Sequence, residues 1–115
     1  CLPGTVNTKT ASVVGTDCIE AFKKFNISKG FMACTSLSLK KGASNATIEE
    51  CNVKKTAMQV CQNHYLLVDK SKFNQSSLVS FANLSDFEYV ISDSKPDQEY
   101  LDNFRKNGTE FILAV

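Results

Sequence analysis

Long apolar stretches are missing from this chain of 115 residues. The longest uninterrupted apolar run, residues 111–115, is far shorter than the roughly 20 residues that cross a bilayer as a helix. The first residues, Cys1-Leu2-Pro3-Gly4, contain neither the basic region nor the apolar run of a secretion signal. We therefore expect no membrane partner and a cytoplasmic location.

An excess of charge of either sign is also missing. Lys and Arg number 13, Asp and Glu number 12, and the two signs alternate along the chain to a formal net charge of +1. No basic stripe forms, so we do not expect these residues to bind a nucleic-acid backbone. Hydrophobic residues make up 43% and charged residues 22%, which predicts one small globular domain with one hydrophobic core.

Paired cysteine motifs are absent as well. The five cysteines are an odd number with no Cys-x-x-Cys spacing, which argues against a disulfide framework and against a zinc site. Four of them fall inside apolar patterns, and we expect free, buried thiols in a cytosolic protein. Five Asn-x-Ser/Thr sequons would be glycan acceptors in a secreted protein, but we attribute them to an Asn- and Ser-rich composition.

Catalytic and cofactor-binding motifs are not found. The sequence has no nucleophile elbow, no HExxH, no Ser-His-Asp order and neither of the glycine-rich phosphate loops. The single histidine, His64, precedes an apolar run, and we interpret it as a loop residue rather than a catalyst. We therefore expect no catalytic residues, no metal and no cofactor.

Six segments have the composition of strands. Residues 65–68 (YLLV) are uniformly apolar, which is typical of a strand buried on both faces, and residues 78–84 are the least clear of the set. Residues 37–45 contain glycine, serine and asparagine and are interpreted as a loop. The remaining predicted strands are 10–15, 29–34, 87–91 and 110–115.

Three helical segments alternate with these strands. Asp17 is positioned to cap the first, and Thr47, with Glu50 three residues later, has the spacing of a capping box for a helix of about four turns. Pro96 suits the first turn of the third helix, and Gly108 suits its end. Alternating strands and helices predict an α/β fold with a mostly parallel sheet flanked by helices.

Polar clusters follow two of the predicted strands, where ligands bind in open parallel sheets. Asp69-Lys70-Ser71-Lys72 follows YLLV, and Ser92-Asp93-Ser94-Lys95 follows FEYVI. Carboxylates accept hydrogen bonds from sugar hydroxyls and lysines meet phosphate, so the clusters suit a polyol phosphate. Solvated loops are the alternative. Glu50 and Lys54 likewise form either an exposed intrahelical pair or the edge of such a site.

One stretch carries a family pattern. Residues 47–73, TIEECNVKKTAMQVCQNHYLLVDKSKF, resemble the effector-domain signature of DeoR-family regulators, a Glu-Glu-x-x-Val-Lys-Arg helix, an apolar strand and an Asp-Ser-Ser-Lys-Phe turn. Four flanking segments are also similar to family segments, and they occur in the same order. They are residues 4–15, Lys29-Gly30-Phe31, LSDFEYVISD at 84–93 and residues 107–115.

The resemblance implies the fold shared by ribose-phosphate isomerase and CoA transferases, and a sensor of a phosphorylated sugar. Residues 1–115 would be a C-terminal effector-domain fragment of a sugar-operon regulator, in the family usually a repressor. The winged helix-turn-helix that binds operator DNA and the first part of the sensor domain would lie outside it. The full-length protein is expected to form homo-oligomers.

The same resemblance implies a set of effector-binding residues. The family's glycine-rich turn after the second strand appears here as Ala33-Cys34-Thr35-Ser36, which indicates a changed pocket. The implied effector-binding residues are Lys54, Asp69, Lys72, Glu50 and Thr35.

Two other functions remain open on the sequence. A sugar-phosphate isomerase on the same fold would use Asp69 or Glu50 as general base. A receiver-like signalling module would use Asp69 as phospho-acceptor, but the acidic pair expected after a first strand is missing.

Overall fold

The computed structural model describes residues 1–114, which form nine strands and three α-helices in α/β order. The helices are α1 Thr16–Phe22, α2 Ile48–Val60 and α3 Gln98–Asn107. The strands are β1 Thr5–Asn7, β2 Ser12–Val14, β3 Ile27–Ala33, β4 Ser36–Ser38, β5 Gly42–Asn45, β6 Cys61–Val68, β7 Val79–Ala82, β8 Tyr89–Ser92 and β9 Glu110–Leu113. Val115, the end of the last predicted strand, lies outside the described residues.

A four-stranded parallel sheet with the order β3-β6-β8-β9 is the centre of the fold. Met32, Leu66, Val90 and Phe111 are in register across it and point to one face. On that face they pack with α2, α3 and strands β4, β5 and β7 in one hydrophobic core. The predicted α/β class and parallel sheet are confirmed. No helix within residues 1–114 has the length and apolarity needed to cross a bilayer.

The segment predicted as a loop, residues 37–45, is a hairpin instead. Strands β4 and β5 pair antiparallel, and β5 also pairs with β7. The polar residues that suggested a loop are buried and satisfied: the Ser44 hydroxyl accepts from the Ser77 N–H at 2.9 Å and donates to the Ser36 carbonyl at 3.4 Å. Gly42 turns the chain with φ +72°, and a Cβ there would overlap the Ala82 carbonyl oxygen.

The prediction that residues 65–68 are buried on both faces is wrong. The strand begins earlier, at Cys61, and its side chains alternate: Leu66 is fully buried, whereas Leu67 is 42% exposed. The reason is that, within the part of the chain that the structure describes, all the covering elements lie on one side of the sheet. His64, predicted in a loop, lies inside this strand.

The helix ends confirm some predicted caps and correct others. The Thr47 side chain accepts from the Glu50 N–H at 3.3 Å, as predicted for an N-cap, and Gly108 ends α3 with φ +75°. The other half of the predicted capping box is not formed, because the Glu50 carboxylate accepts from the Asn45 amide instead. Asp17 is not the cap of α1; it lies in the first turn, after the N-cap Gly15. Pro96 is likewise not in the first turn of α3, because the N-cap is Asp97.

Candidate functional site

An open cleft of about 400 Å³ lies at the carboxyl ends of β3, β6 and β8, where parallel sheets bind ligands. It crosses the rim of the sheet and is lined by side chains from both faces. Its lining comprises Ala33, Cys34, Leu67, Val68, Asp69, Lys72, Ile91, Ser92, Asp93 and Ala114.

Asp69 and Lys72 reach the cleft together through a single 3-10 turn, Lys70–Lys72. The Asp69 side chain caps this turn, with Oδ1 accepting from the Ser71 N–H at 2.8 Å and from the Ser71 hydroxyl. The Lys72 N–H donates to the Asp69 carbonyl at 3.1 Å, which returns Lys72 to the same rim. The Ser71 hydrogen bonds lower the pKa of the Asp69 carboxyl, so a fixed anion stands three residues from a cation.

Asp93 adds a second carboxylate beside the first. Its Oδ1 accepts from the Lys70 N–H at 3.2 Å and from the Ser92 hydroxyl at 3.5 Å. The buried Ser92 hydroxyl also accepts from the Ser94 N–H at 3.3 Å. These bonds join the ends of β6 and β8. The sequence identified this polar cluster, but Asp93 and Ser92 were not among the predicted site residues; their position directly at a strand end was the available signal.

Lys54 and Glu50 lie in a neighbouring pocket, between β2 and α2. The Lys54 ammonium donates to the Ala33 carbonyl at 2.5 Å and to Asn45 Oδ1 at 3.0 Å, and it lies 5.1 Å from the centre of the Phe81 ring. Burial lowers its pKa. Asn45 also donates to Glu50 at 2.8 Å, so the amide bridges the two charges. Lys54 therefore touches the cleft through the backbone of Ala33, and its role as an effector ligand stays a prediction.

Thr35 and Cys34 occupy the turn that follows β3. Thr35 is exposed, its N–H donates to the Ser44 carbonyl at 3.0 Å, and its side chain is not in the cleft lining. Cys34 lines the cleft but is 6% exposed, and burial raises the pKa of its thiol to about 11 despite the nearby Lys54 and Lys72. The thiol is accordingly neutral near pH 7.

His64 lies in the middle of β6, away from the cleft, and its ring packs against α2. Its Nε2 is 2.6 Å from the Met58 carbonyl and its Nδ1 is 3.0 Å from Glu88 Oε2. Burial raises the pKa of Glu88, but hydrogen bonds from the backbone N–H and the ring of His64 outweigh it, and the pKa is lower than usual. His64 therefore joins α2, β6 and the segment before β8, and is not in the cleft lining.

Comparison with known proteins agrees with this picture. The family model described as "DeoR C terminal sensor domain" matches residues 1–94. The HTH-type transcriptional regulator IolR of Bacillus subtilis is 35% identical over 92 residues, which are 80% of this chain and 37% of that protein. The deoxyribose operon repressor of Escherichia coli K12 is 37% identical over 71 residues, 62% of this chain and 28% of that protein.

A third relative matches almost the whole chain. The HTH-type transcriptional repressor GlcR of Bacillus subtilis is 25% identical over 113 residues, 98% of this chain and 43% of that protein. The chain thus spans less than half the length of these relatives. All three are named as regulators or repressors, none as an enzyme, which removes support from the isomerase and phospho-acceptor alternatives.

Proposed function

This chain belongs to the DeoR family of transcriptional regulators, as part of the C-terminal sensor domain, and we propose that its cleft binds a phosphorylated sugar or a related metabolite. The observation that carries the proposal is the joint presence of Asp69 and Lys72 on one tight turn at the carboxyl end of β6. Their separation in sequence and the 3-10 hydrogen bond bring both residues into the lining of the same cleft, where one ligand would meet both side chains.

The charges of the cleft favour a particular orientation of such a ligand. Asp69 and Asp93 offer carboxylate oxygens that accept hydrogen bonds from vicinal hydroxyls, as a polyol requires. Lys72 is the only cation among the cleft-lining residues of the described chain, so a phosphate would lie beside its ammonium and away from the carboxylates. The apolar side chains of Leu67 and Ile91 would contact the carbon skeleton.

The proposed regulatory role also needs a part that binds operator DNA, which would lie elsewhere in the polypeptide. The relatives' names include a deoxyribose operon repressor, which supports a carbohydrate operon as the target. Because these residues carry a net charge of only +1 and span less than half of each relative, operator DNA would be bound by another part of the protein. The protein would act in the cytoplasm, as a repressor and as a homo-oligomer.

A thermal-shift screen tests the ligand class. Sugar phosphates and the same sugars without phosphate would be added in pairs to the complete polypeptide, since a ligand of the folded state raises Tm by mass action. We expect at least one phosphorylated member to raise Tm more than its unphosphorylated partner. The shift should be reduced in Lys72→Ala and kept in Lys106→Ala, an exposed lysine in the last turn of α3.

Equal Tm shifts for both members of every pair would contradict the proposal that the ligand is phosphorylated. An unchanged Tm shift in Lys72→Ala would contradict the proposal that the ligand binds in this cleft.

A further inference from the structure

The second face of the four-stranded sheet carries a row of stacked aromatic rings. Phe31, Tyr65 and Tyr89 are neighbours across β3, β6 and β8. The ring centres of Phe31 and Tyr65 are 4.6 Å apart, as are those of Tyr65 and Tyr89, with interplanar angles of 23° and 7°. Phe31 is 58% exposed. The rings are therefore stacked on one another, with Tyr65 and Tyr89 partly exposed beside the exposed Phe31.

An aliphatic row lies beside the rings on the same face. Ala33, Leu67, Ile91 and Ile112 are in register across the four strands, with Leu67 42% and Ile112 37% exposed. Together the two rows form a continuous apolar surface, which we call the open face. Parallel sheets are normally covered on both faces, and a contiguous exposed apolar patch indicates an interaction surface.

The described residues cannot cover the open face because of their topology. The connections β3 to β6, β6 to β8 and β8 to β9 all step in the same direction across the sheet. Crossovers between parallel strands are right-handed in almost all proteins, so three steps in one direction put every connection on the same side. The packing agrees, since α2, α3 and strands β4, β5 and β7 share the core on the opposite face. Any cover of the open face would therefore come from residues outside the described ones.

We propose that an amphipathic helix from the same polypeptide, outside residues 1–115, packs on the open face and forms a wall of the cleft. The relatives leave room for it, because the matched region is 37% of one regulator and 43% of another. Two steps of 4.6 Å make the ring row about as wide as an α-helix, which is roughly 10 Å across. Helices, rather than a second sheet, are what cover parallel sheets, and this favours a helix in the same chain over face-to-face pairing of two copies.

The helix would also complete the cleft. Ala33, Leu67 and Ile91 belong both to the open face and to the cleft lining. A helix lying along the strands over the rings would therefore reach the carboxyl ends and close the open side of the cleft. This placement is argued from the sheet and from the length of the relatives, and it does not depend on which effector the cleft binds.

Thiol labelling of the complete polypeptide tests the cover. Leu67→Cys in a Cys1→Ser background places a reporter thiol on the open face. Lys106→Cys in the same background is the exposed control. The other four cysteines of residues 1–115 are buried. We expect maleimide to modify Leu67→Cys at least about tenfold more slowly than the control, because a covered thiol reacts only when its cover opens. The rate should not change on dilution. Equal rates for the two thiols would overturn the proposal, and protection lost on dilution would replace the helix by a second copy.

Hydroxyl-radical footprinting of the unsubstituted protein keeps the test valid if the variant does not fold. Tyr100, which is 1% exposed, is the matched buried control for Tyr65 and Tyr89. We expect the two open-face tyrosines to oxidise about as slowly as Tyr100 at every protein concentration. Oxidation much faster than that of Tyr100 would contradict the cover. Neither readout depends on an effector, so the proposal can fail while the sugar-phosphate proposal stands, and the reverse.

Discussion

Replacing Tyr100 by Phe tests how α3 supports the turn that carries Lys72. The Tyr100 hydroxyl accepts a hydrogen bond from the Asn74 N–H at 3.1 Å. It also lies 3.1 Å from Asn74 Oδ1 and 3.4 Å from the Leu37 carbonyl oxygen, the two acceptors to which it can donate. The ring also meets Phe73 edge-on, at 5.0 Å between centres. Tyr100→Phe keeps the ring and removes the hydroxyl, so the Asn74 N–H loses its acceptor while the packing remains.

The size of the effect follows from the loss of that hydrogen bond. Asn74 is an exposed residue, so water can take the place of the hydroxyl, and an ordinary hydrogen bond contributes about 0.5–1.5 kcal/mol net; we therefore expect the free energy of unfolding to fall by roughly 1 kcal/mol. With a urea m value of about 1–3 kcal/mol/M, the unfolding midpoint should move down by about 0.5 M. Because Asn74 follows the turn of Asp69 and Lys72 by two residues, effector affinity should fall as well.

Urea unfolding followed by circular dichroism measures the first effect. Arg105→Ala is the matched control, because Arg105 is exposed on the same helix and its substitution should stay within about 0.5 kcal/mol. If Tyr100→Phe unfolded at the same urea concentration as the unsubstituted protein, the three contacts of the hydroxyl would contribute nothing net, and α3 would not support the turn in the way we describe.

Three further predictions concern Lys54, Glu88 and the cysteine thiols. Lys54→Met keeps the aliphatic stem but removes the donor to the Ala33 carbonyl, so urea unfolding should show a loss of about 1–2 kcal/mol; no loss would contradict the tether. The Glu88 carboxyl, whose pKa is lowered when folded, stabilises the fold above its ordinary value of 4.5 and loses that contribution as the pH falls through its folded pKa. Unfolding midpoints between pH 6 and 3 should therefore fall less steeply in Glu88→Gln, whereas parallel curves would contradict the bond to His64. Native maleimide labelling should modify only the exposed Cys1 quickly and reach all five thiols after denaturation; a lower final count would mean a bridge.

The sequence predicted which segments along the chain form the parallel strands and the main helices, because the signals of these elements are local. Apolar runs of strand length, the Thr47 cap and the Gly108 stop act within a few residues of themselves, and each is present in the structure. The hairpin of β4 and β5 was missed because Ser44 and Asn45 look like loop residues; their burial depends on partners such as Ser77 and Lys54, which are far away in sequence.

The candidate site was predictable to the same extent. Asp69 and Lys72 are brought together by a turn of four residues, which the sequence contains in full. Lys54 is different, since its direction depends on where the Ala33 carbonyl and Asn45 lie after folding. The exposure of Leu67 was also out of reach, because a uniformly apolar strand does not tell on which side the covering elements pack.

The most direct test of the account is the dissociation constant of the best sugar phosphate from the screen, measured by titration calorimetry on the complete polypeptide and on Lys72→Ala. A charge-assisted contact is worth about 1.5–3 kcal/mol, so Lys72→Ala should raise Kd about ten- to a hundredfold. Lys106→Ala should leave Kd unchanged, and operator binding without effector should be normal in both variants. An unchanged Kd in Lys72→Ala would contradict the assignment of the effector to the cleft at the end of β6.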